Sequence, residues 1–353
     1  MIGGSASASY GPGHWAVPGA HAVAEGVHRV VLPMPQDGLQ AVNVYVIAGP
    51  DGLALVDAGW RVPGNLALLD AGLRQLGHRV EDVHDVYVTH VHRDHYTLGP
   101  ALRRAVGASI HLGAAERTGL RLVRELGSNL PTSSLRELGR GGAQVLAASI
   151  VELMVAEPWE ADDWEDPDSW LEPGPLTIAG RAMEAVAVPG HTKGHLAFHD
   201  PAAGLLFTGD HVLPTITPSI GFELGDWDLP LEQYLRSLDL LLARPDALLL
   251  PAHGMPGGSV HERVRELITH HQRRFEATLD AFAAPGPDHR SGRLGLEIAS
   301  RLSWTRRDRA FETLDPFNRM IAVCETMAHL DVLVQRGRVR VTSRDGVENF
   351  ALA

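Results

Sequence analysis

Apolar residues gather in short, β-branched runs at residues 27–32, 41–47 and 53–56, and Pro50-Asp51-Gly52 separates the second run from the third. Runs of this kind bounded by turn residues predict strands, here an antiparallel meander. At residues 66–76 the period lengthens to that of an amphipathic helix, stopped by Gly77. A strand at 83–88, a helix at 98–106 and a strand at 109–112 follow. Residues 112–155 read as largely helical, with breaks at Gly127 and across 139–142. Strands return at 182–188, 197–199 and 205–208. A helix at 231–242 leads to a last strand of this part at 247–250. The pattern then changes to long helices at 260–283, 295–302 and 317–335. A small hairpin, 339–342 with 349–352 around Asp345-Gly346, ends the chain.

Two stretches break these periods. Residues 157–172 hold acids, prolines and three tryptophans, Trp159, Trp164 and Trp170, and read as a long loop or a lid. Ala284-Pro285-Gly286-Pro287 reads as a linker inside the carboxy-terminal part. Charge separates the same parts. Residues 1–262 carry a balance of -15 and residues 263–353 one of +3, within a total of -12. With 353 residues, a large catalytic domain over 1–262 and a smaller domain over 263–353 are expected. The first would carry a helical and lid insertion at about 113–173.

Composition narrows the function. The acidic balance argues against nucleic acid or an anionic membrane as partner, since both attract basic surface. No run of about 18 apolar residues suggests a membrane span, and residues 1–20 lack the basic-then-apolar order of a signal peptide. The single cysteine, Cys324, excludes an internal disulfide and fits a reducing, cytoplasmic compartment. Lys193 is the only lysine in the chain.

The chemistry concentrates in His90-Val91-His92-Arg93-Asp94-His95. On extended backbone, residues two apart share a face, so His90 and His92 can meet one ion. A turn into the helix after Thr97 can swing Asp94 and His95 toward a second. Imidazole and carboxylate suit zinc and similar divalent metals. His191, Asp210 and His253 each follow an expected strand, where loops gather and sites form. Gly190 gives the backbone before His191 its freedom.

Residues 89–95, His191, Asp210 and His253, preceded by Asp57, resemble the metallo-β-lactamase superfamily in order and type. The resemblance covers roughly residues 27–254. It implies an α+β, four-layer αββα sandwich carrying two divalent ions, expected to be zinc, with iron or manganese also compatible. By that resemblance His90, His92 and His191 hold the first ion, and Asp94, His95 and His253 the second. Asp210 bridges both, and Asp57 orients a ligand from behind. His195 and His211, beside these residues, are candidates for supporting roles.

Two such ions share a water and lower its pKa to about 7 or below, so a metal-bridging hydroxide attacks without a serine or cysteine nucleophile. Asp94 and Asp210 are the candidates for proton transfer. The motifs look like glyoxalase-II-type relatives, which favours a thioester, an acyl-CoA or a related carrier, as substrate. Tyr96-Thr97-Leu98-Gly99 departs from the paired glycines usual there. The tail, from Ala328-His329-Leu330 to Gly337-Arg338-Val339, resembles the winged-helix end of the lactamase-β-like-protein-2 group. A lactone or β-lactam hydrolase, a nuclease or phosphodiesterase, and a DNA-binding regulatory protein are the alternatives. A small-molecule substrate is expected, and a homodimer is compatible. Lys193 is a candidate contact for a substrate anion, and the tryptophan-rich segment one for an acyl chain.

Overall fold

The computed structural model describes residues 14–35, 37–220, 227–283, 292–304 and 308–353. The expected linker at 284–287 and most of the first twenty residues lie outside them.

Four strands open the chain as an antiparallel meander: β1 (Gly19–Ala24), β2 (Val27–Pro33), β3 (Ala41–Gly49) and β4 (Gly52–Val56). The helix α1 (Asn65–Gln75) then crosses to β5 (Val83–Val88), which pairs parallel to β4. One helical turn, α2 (Arg93–Tyr96), runs into α3 (Leu98–Val106) and β6 (Ser109–Gly113). Three helices follow, α4 (Arg117–Leu126), α5 (Thr132–Arg140) and α6 (Gln144–Val155), and β7 (Ser169–Leu171) closes a seven-stranded sheet in sequence order.

A second sheet has five strands: β8 (Gly174–Ile178), β9 (Arg181–Ala187), β10 (Leu196–Asp200), β11 (Leu205–Gly209) and, after α7 (Pro230–Leu242), β12 (Leu248–Pro251). Its order is β12-β11-β10-β9-β8. The remaining chain forms α8 (Val260–Ala283), β13 (Arg293–Leu294), α9 (Gly295–Ala299), α10 (Pro316–Gln335) and the hairpin of β14 (Val339–Arg344) with β15 (Val347–Leu352). β13 joins that hairpin in a three-stranded sheet.

Why the sheets stack follows from the period of two. In β3, Val42, Val44 and Val46 point to the helical side and pack with α1 and α3 residues such as Leu69, Leu73 and Leu102. Tyr45 and Ile47 point the other way and meet Phe198, Phe207 and Leu250 of the second sheet. In that sheet Leu206 and Ala197 face outward again, against Leu238 of α7, Leu267 of α8 and Leu330 of α10. Both sheets are therefore apolar on both faces, and the only arrangement that buries four apolar faces is helix–sheet–sheet–helix. The expected four-layer αββα sandwich is the observed one. The outer helical layer on the second sheet includes α8 and α10, so residues beyond 263 share one apolar core with it.

The periodic elements agree with the sequence reading to within a few residues, and several features do not. The first helical turn begins at Arg93, ahead of Thr97. The helix expected over 295–302 ends at Ala299. β1, β8 and β13 were not expected.

The tryptophan-rich stretch is tied to the first sheet. Trp164 is 5% exposed and belongs to the core between that sheet and its helices. Ser169–Leu171 add a strand beside β6. A ladder of ion pairs fastens the rest: Arg61 to Asp163, Arg103 to Glu165 and Asp168, Arg104 to Glu165, and Arg124 to Asp166. Single surface pairs are worth about 0–1 kcal/mol, so the buried indole is the stronger anchor. Among the described residues no helix is long and apolar enough to cross a membrane.

Replacing Trp164 with alanine is expected to lower the unfolding free energy by about 3–5 kcal/mol, read by urea denaturation. A loss below about 1 kcal/mol would mean that the segment only leans on the sheet.

Candidate metal centre

Every candidate side chain sits just beyond the carboxyl end of a strand, at one edge of the sandwich. Asp57 follows β4, His90 to His95 follow β5, and His191, Asp210 and His253 follow β9, β11 and β12. All seven candidate ligands converge there. The ligating atoms of His90, His92 and His191 lie within 4.8 Å of one another, as do those of Asp94, His95 and His253. Those of His90, His95 and Asp210 form a third such group.

In the first group, His92 Nδ1 is 3.0 Å from His90 Nε2 and 2.9 Å from His191 Nε2. Nitrogens at about 2.0–2.1 Å from a tetrahedral zinc would be about 3.3 Å apart, so the cluster is near that spacing. In the second, Asp94 Oδ2 is 3.3 Å from His95 Nε2 and 3.2 Å from His253 Nε2. Asp210 stands between the groups. Its Oδ1 is 3.6 Å from His95 Nε2 and 3.3 Å from His253 Nε2, while its Oδ2 is 3.6 Å from His191 Nε2.

The backs of the imidazoles are held by the protein, which aims their fronts at the centre. His95 donates from Nδ1 to Asp57 Oδ2 (2.9 Å), His191 to the Ser219 carbonyl (2.8 Å) and His253 to the Ala41 carbonyl (2.7 Å). The Thr89 hydroxyl donates to Asp57 and stands 3.1 Å from His90 Nδ1, which donates to it. Each of these four rings therefore carries a proton on Nδ1 and turns Nε2 inward, the nitrogen left for a metal. Asp57 reaches this position from a left-handed backbone (φ 63°), and its Oδ1 also accepts from the Thr89 amide at 2.8 Å.

Neighbouring elements fix the turns. The Pro251 carbonyl, ahead of His253, accepts from Asn43 (2.9 Å) and from the Tyr45 hydroxyl (2.7 Å). Asn43 is itself held by Arg29 at 2.7 Å. Helix α7 lies directly on the His191 turn. A Cβ on Gly190 would sit 2.5 Å from the Cα of Tyr234, and at φ +150° only glycine is comfortable. The same helix donates from Ser237 to the Pro189 carbonyl (2.7 Å) and from Tyr234 to the His211 carbonyl (3.0 Å), so it holds both ligand turns.

Electrostatics divides the imidazoles. Burial holds His92 down to about 3 and His191 to about 4, and His90 also falls well below its ordinary value. Burial would lower His95 and His253 too, but carboxylates outweigh it and raise both: Asp94, Asp57 and Asp210 around His95, and Asp210 and Asp94 around His253. Three buried atoms in the centre, His95 Nε2, His253 Nε2 and Asp210 Oδ1, have no hydrogen-bond partner. Unpaired buried polar atoms are costly. The donor set of imidazole nitrogens and carboxylate oxygens is the one that divalent zinc-type cations take. The residues fit such ions.

Lys193 is half-buried on the turn between His191 and His195 and is not one of the converging groups. Other supports of the ligand turns carry no signal in the motifs. The Thr192 hydroxyl donates to the fully buried Glu116, and Arg29, Asn43 and Tyr45 brace His253. A visible signal existed for Asn43, a polar residue inside an apolar strand run. Glu116 offered none.

The match to known proteins agrees with this geometry. The model of the metallo-beta-lactamase superfamily matches residues 37–253, and the chain belongs to that superfamily. A metallo-beta-lactamase family protein from Thermus thermophilus is similar in structure, with a TM-score of 0.74 and 27% identity over 94% of this chain and 100% of that one. The probable metallo-hydrolase YqjP of Bacillus subtilis is 22% identical over 88% of this chain and 92% of its own length. A hydroxyacylglutathione hydrolase of Fuscovulum blasticum is 26% identical over 50% of each chain. Several curated relatives are matched over only 31% to 50% of their length. As a member of this superfamily, the chain carries histidines and aspartates clustered where a metal can bind.

Substituting Asp57 with alanine is expected to weaken metal binding by about 10–100-fold, measured by chelator competition; unchanged affinity would remove Asp57 from the support of the centre. Because His95 and His253 hold protons above their ordinary range, metal must displace them. Uptake near neutral pH should release protons, and affinity should fall as pH falls through those raised values. Calorimetry in two buffers of different ionisation enthalpy checks this, and equal apparent heats would contradict it.

Proposed function

We propose that the protein is a dinuclear metal-dependent hydrolase acting on a small-molecule thioester, an acyl-CoA or a related carrier. The observation that carries the dinuclear part is the carboxylate of Asp210. One oxygen faces His95 and His253 and the other faces His191. In this reading His90, His92 and His191 hold one ion, Asp94, His95 and His253 hold the other, and Asp210 bridges them. Zinc is the expected metal.

When bound, a pair of such ions supplies an activated water nucleophile and a Lewis acid for the oxygen that becomes negative. The chain's own residues supply the rest. Asp210 fixes the separation of the two ligand sets. Asp94 remains a carboxylate, because His95 and His253 outweigh the effect of burial and pull it well below its ordinary value. In the loaded site Asp94 would help hold the second ion and accept a hydrogen bond that orients the attacking water. The leaving thiolate needs little protonation, since thiols have pKa values near 8.5. Support for the thioester class comes from the similarity to a hydroxyacylglutathione hydrolase over half the chain. It also comes from Asp210 itself, since many true β-lactamases carry cysteine at the matching position. Lys193, at the rim of the His191 turn, is the proposed contact for an anionic group on the carrier.

The test is a substrate panel on zinc-loaded protein: acyl-CoA, acyl-glutathione, lactone, cephalosporin and phosphodiester. Thioester turnover should exceed the others by at least about tenfold in kcat/KM, the equivalent of about 1.4 kcal/mol in the barrier. Faster lactone, β-lactam or phosphodiester cleavage would overturn the substrate class. Replacing Asp210 with alanine should lower turnover by about 100-fold or more and reduce bound metal. Full turnover in that variant would overturn the dinuclear mechanism.

A further inference from the structure

His195 touches His90 of the first ligand set and the backbone of Asp210. Its ring stacks on His90, with centroids 4.8 Å apart and planes 18° from parallel. Its Nε2 is 3.2 Å from the backbone nitrogen of Asp210, which has a hydrogen to donate. The residue is fully buried. Its own backbone ties into the same elements: its carbonyl accepts from Val188 at 2.9 Å, and the next amide, of Leu196, donates to the Thr89 carbonyl at 2.8 Å.

Gly209 shows how close this contact is. A Cβ there would lie 2.7 Å from the Cε1 and Nε2 of His195 and 2.7 Å from the Thr89 hydroxyl. With φ at +52°, the turn lets the Asp210 amide approach the ring with nothing between them. A side chain at 209 would push the imidazole and the turn apart.

We infer that His195 is a positioning residue for the metal centre, whose bare Nε2 accepts the Asp210 amide and so sets where the Asp210 carboxylate stands relative to His90. The inference rests on the reading of Asp210 as the bridging ligand. An amide has only a hydrogen to give, so the accepting ring nitrogen must be unprotonated and the ring must carry its proton on Nδ1. That Nδ1 is buried and has no partner. The opposite tautomer would leave two N–H groups facing each other at 3.2 Å. The ring therefore gives up a hydrogen bond at Nδ1 in order to hold the amide at Nε2. The effect on metal is indirect: a shifted turn moves the two Asp210 oxygens off the line between His191 and His95, and both ligand sets lose their shared member.

Two measurements test this. The first uses the native chain. Ring-nitrogen NMR, with the His195 signal assigned by its loss in His195→Gln, should show a neutral ring protonated at Nδ1. Protonation at Nε2 would overturn the inference whatever the metal content. The second compares His195→Phe, which keeps a ring on His90 and removes the acceptor, with His195→Gln, which restores an acceptor near the same point. Zinc affinity by chelator competition and the cobalt absorption spectrum are the readouts. His195→Phe should bind about 10-fold more weakly or worse with an altered spectrum, and His195→Gln should recover most of the loss. Native affinity in His195→Phe would overturn the inference, as would equal losses in both variants. If His195→Phe does not fold, the tautomer decides. A native chain that binds fewer than two ions with the expected tautomer would instead sink the Asp210 bridge and leave the His195 contact standing.

Discussion

A buried carboxylate and buried imidazoles aimed at one another need positive charge among them, protons on the rings or a metal ion in their place. Asp210, His95 and His253 are in that position, and the surrounding architecture holds them there. Asp57 fastens the back of His95, the Ala41 carbonyl fastens His253, and α7 presses the turns that carry His191 and Asp210. The centre is thus organised from behind by hydrogen bonds that settle which nitrogen of each ring faces inward. A site of this kind trades stability for a preset affinity for divalent metal.

The sandwich makes that arrangement possible. Because both sheets are apolar on both faces, their strands can be fixed only by helices outside and by each other inside. The strand ends then have nowhere to move, and loops leaving one edge meet at a constant spacing. Residues far apart in sequence, such as Asp94 and His253, come within reach of one another for the same reason. The second sheet leans on α7, α8 and α10, so the carboxy-terminal helices stiffen the ligand turns even though they contribute no ligand. Tyr234 is the direct link: it packs in the core of that layer and holds the carbonyl next to Asp210.

Much of this was legible in the chain. The continuous apolar runs of β2 to β4 are strong because those strands are buried on both faces, and the 3.6-residue periods of α1, α3, α7 and α8 because those helices bury one face. The ligand cluster was legible because four metal-type side chains within six residues have little use in packing. What was missed has a common cause. β8 is half-exposed and weakly apolar, and β1 contains alanines and a histidine, so neither carries a clear period. Residues 157–172 look like solvent-facing loop in composition, yet Trp164 is core and Asp163, Glu165, Asp166 and Asp168 pair with arginines of α3, α4 and the Trp60–Val62 turn. Composition does not reveal which charges are paired. The supports of the site, Ala41 and Ser219 carbonyls among them, are backbone atoms and leave no sequence signal. The tautomers they impose on the imidazoles are equally silent.

The central claim is that two cations are held side by side with the Asp210 carboxylate between them. Anomalous diffraction at the zinc edge on crystals of the zinc-loaded protein tests it most directly. The account predicts two peaks about 3.5–4 Å apart, one among His90, His92 and His191 and one among Asp94, His95 and His253, with an Asp210 oxygen on each. A single peak, or fully loaded crystals in which Asp210 touches neither ion, would contradict it.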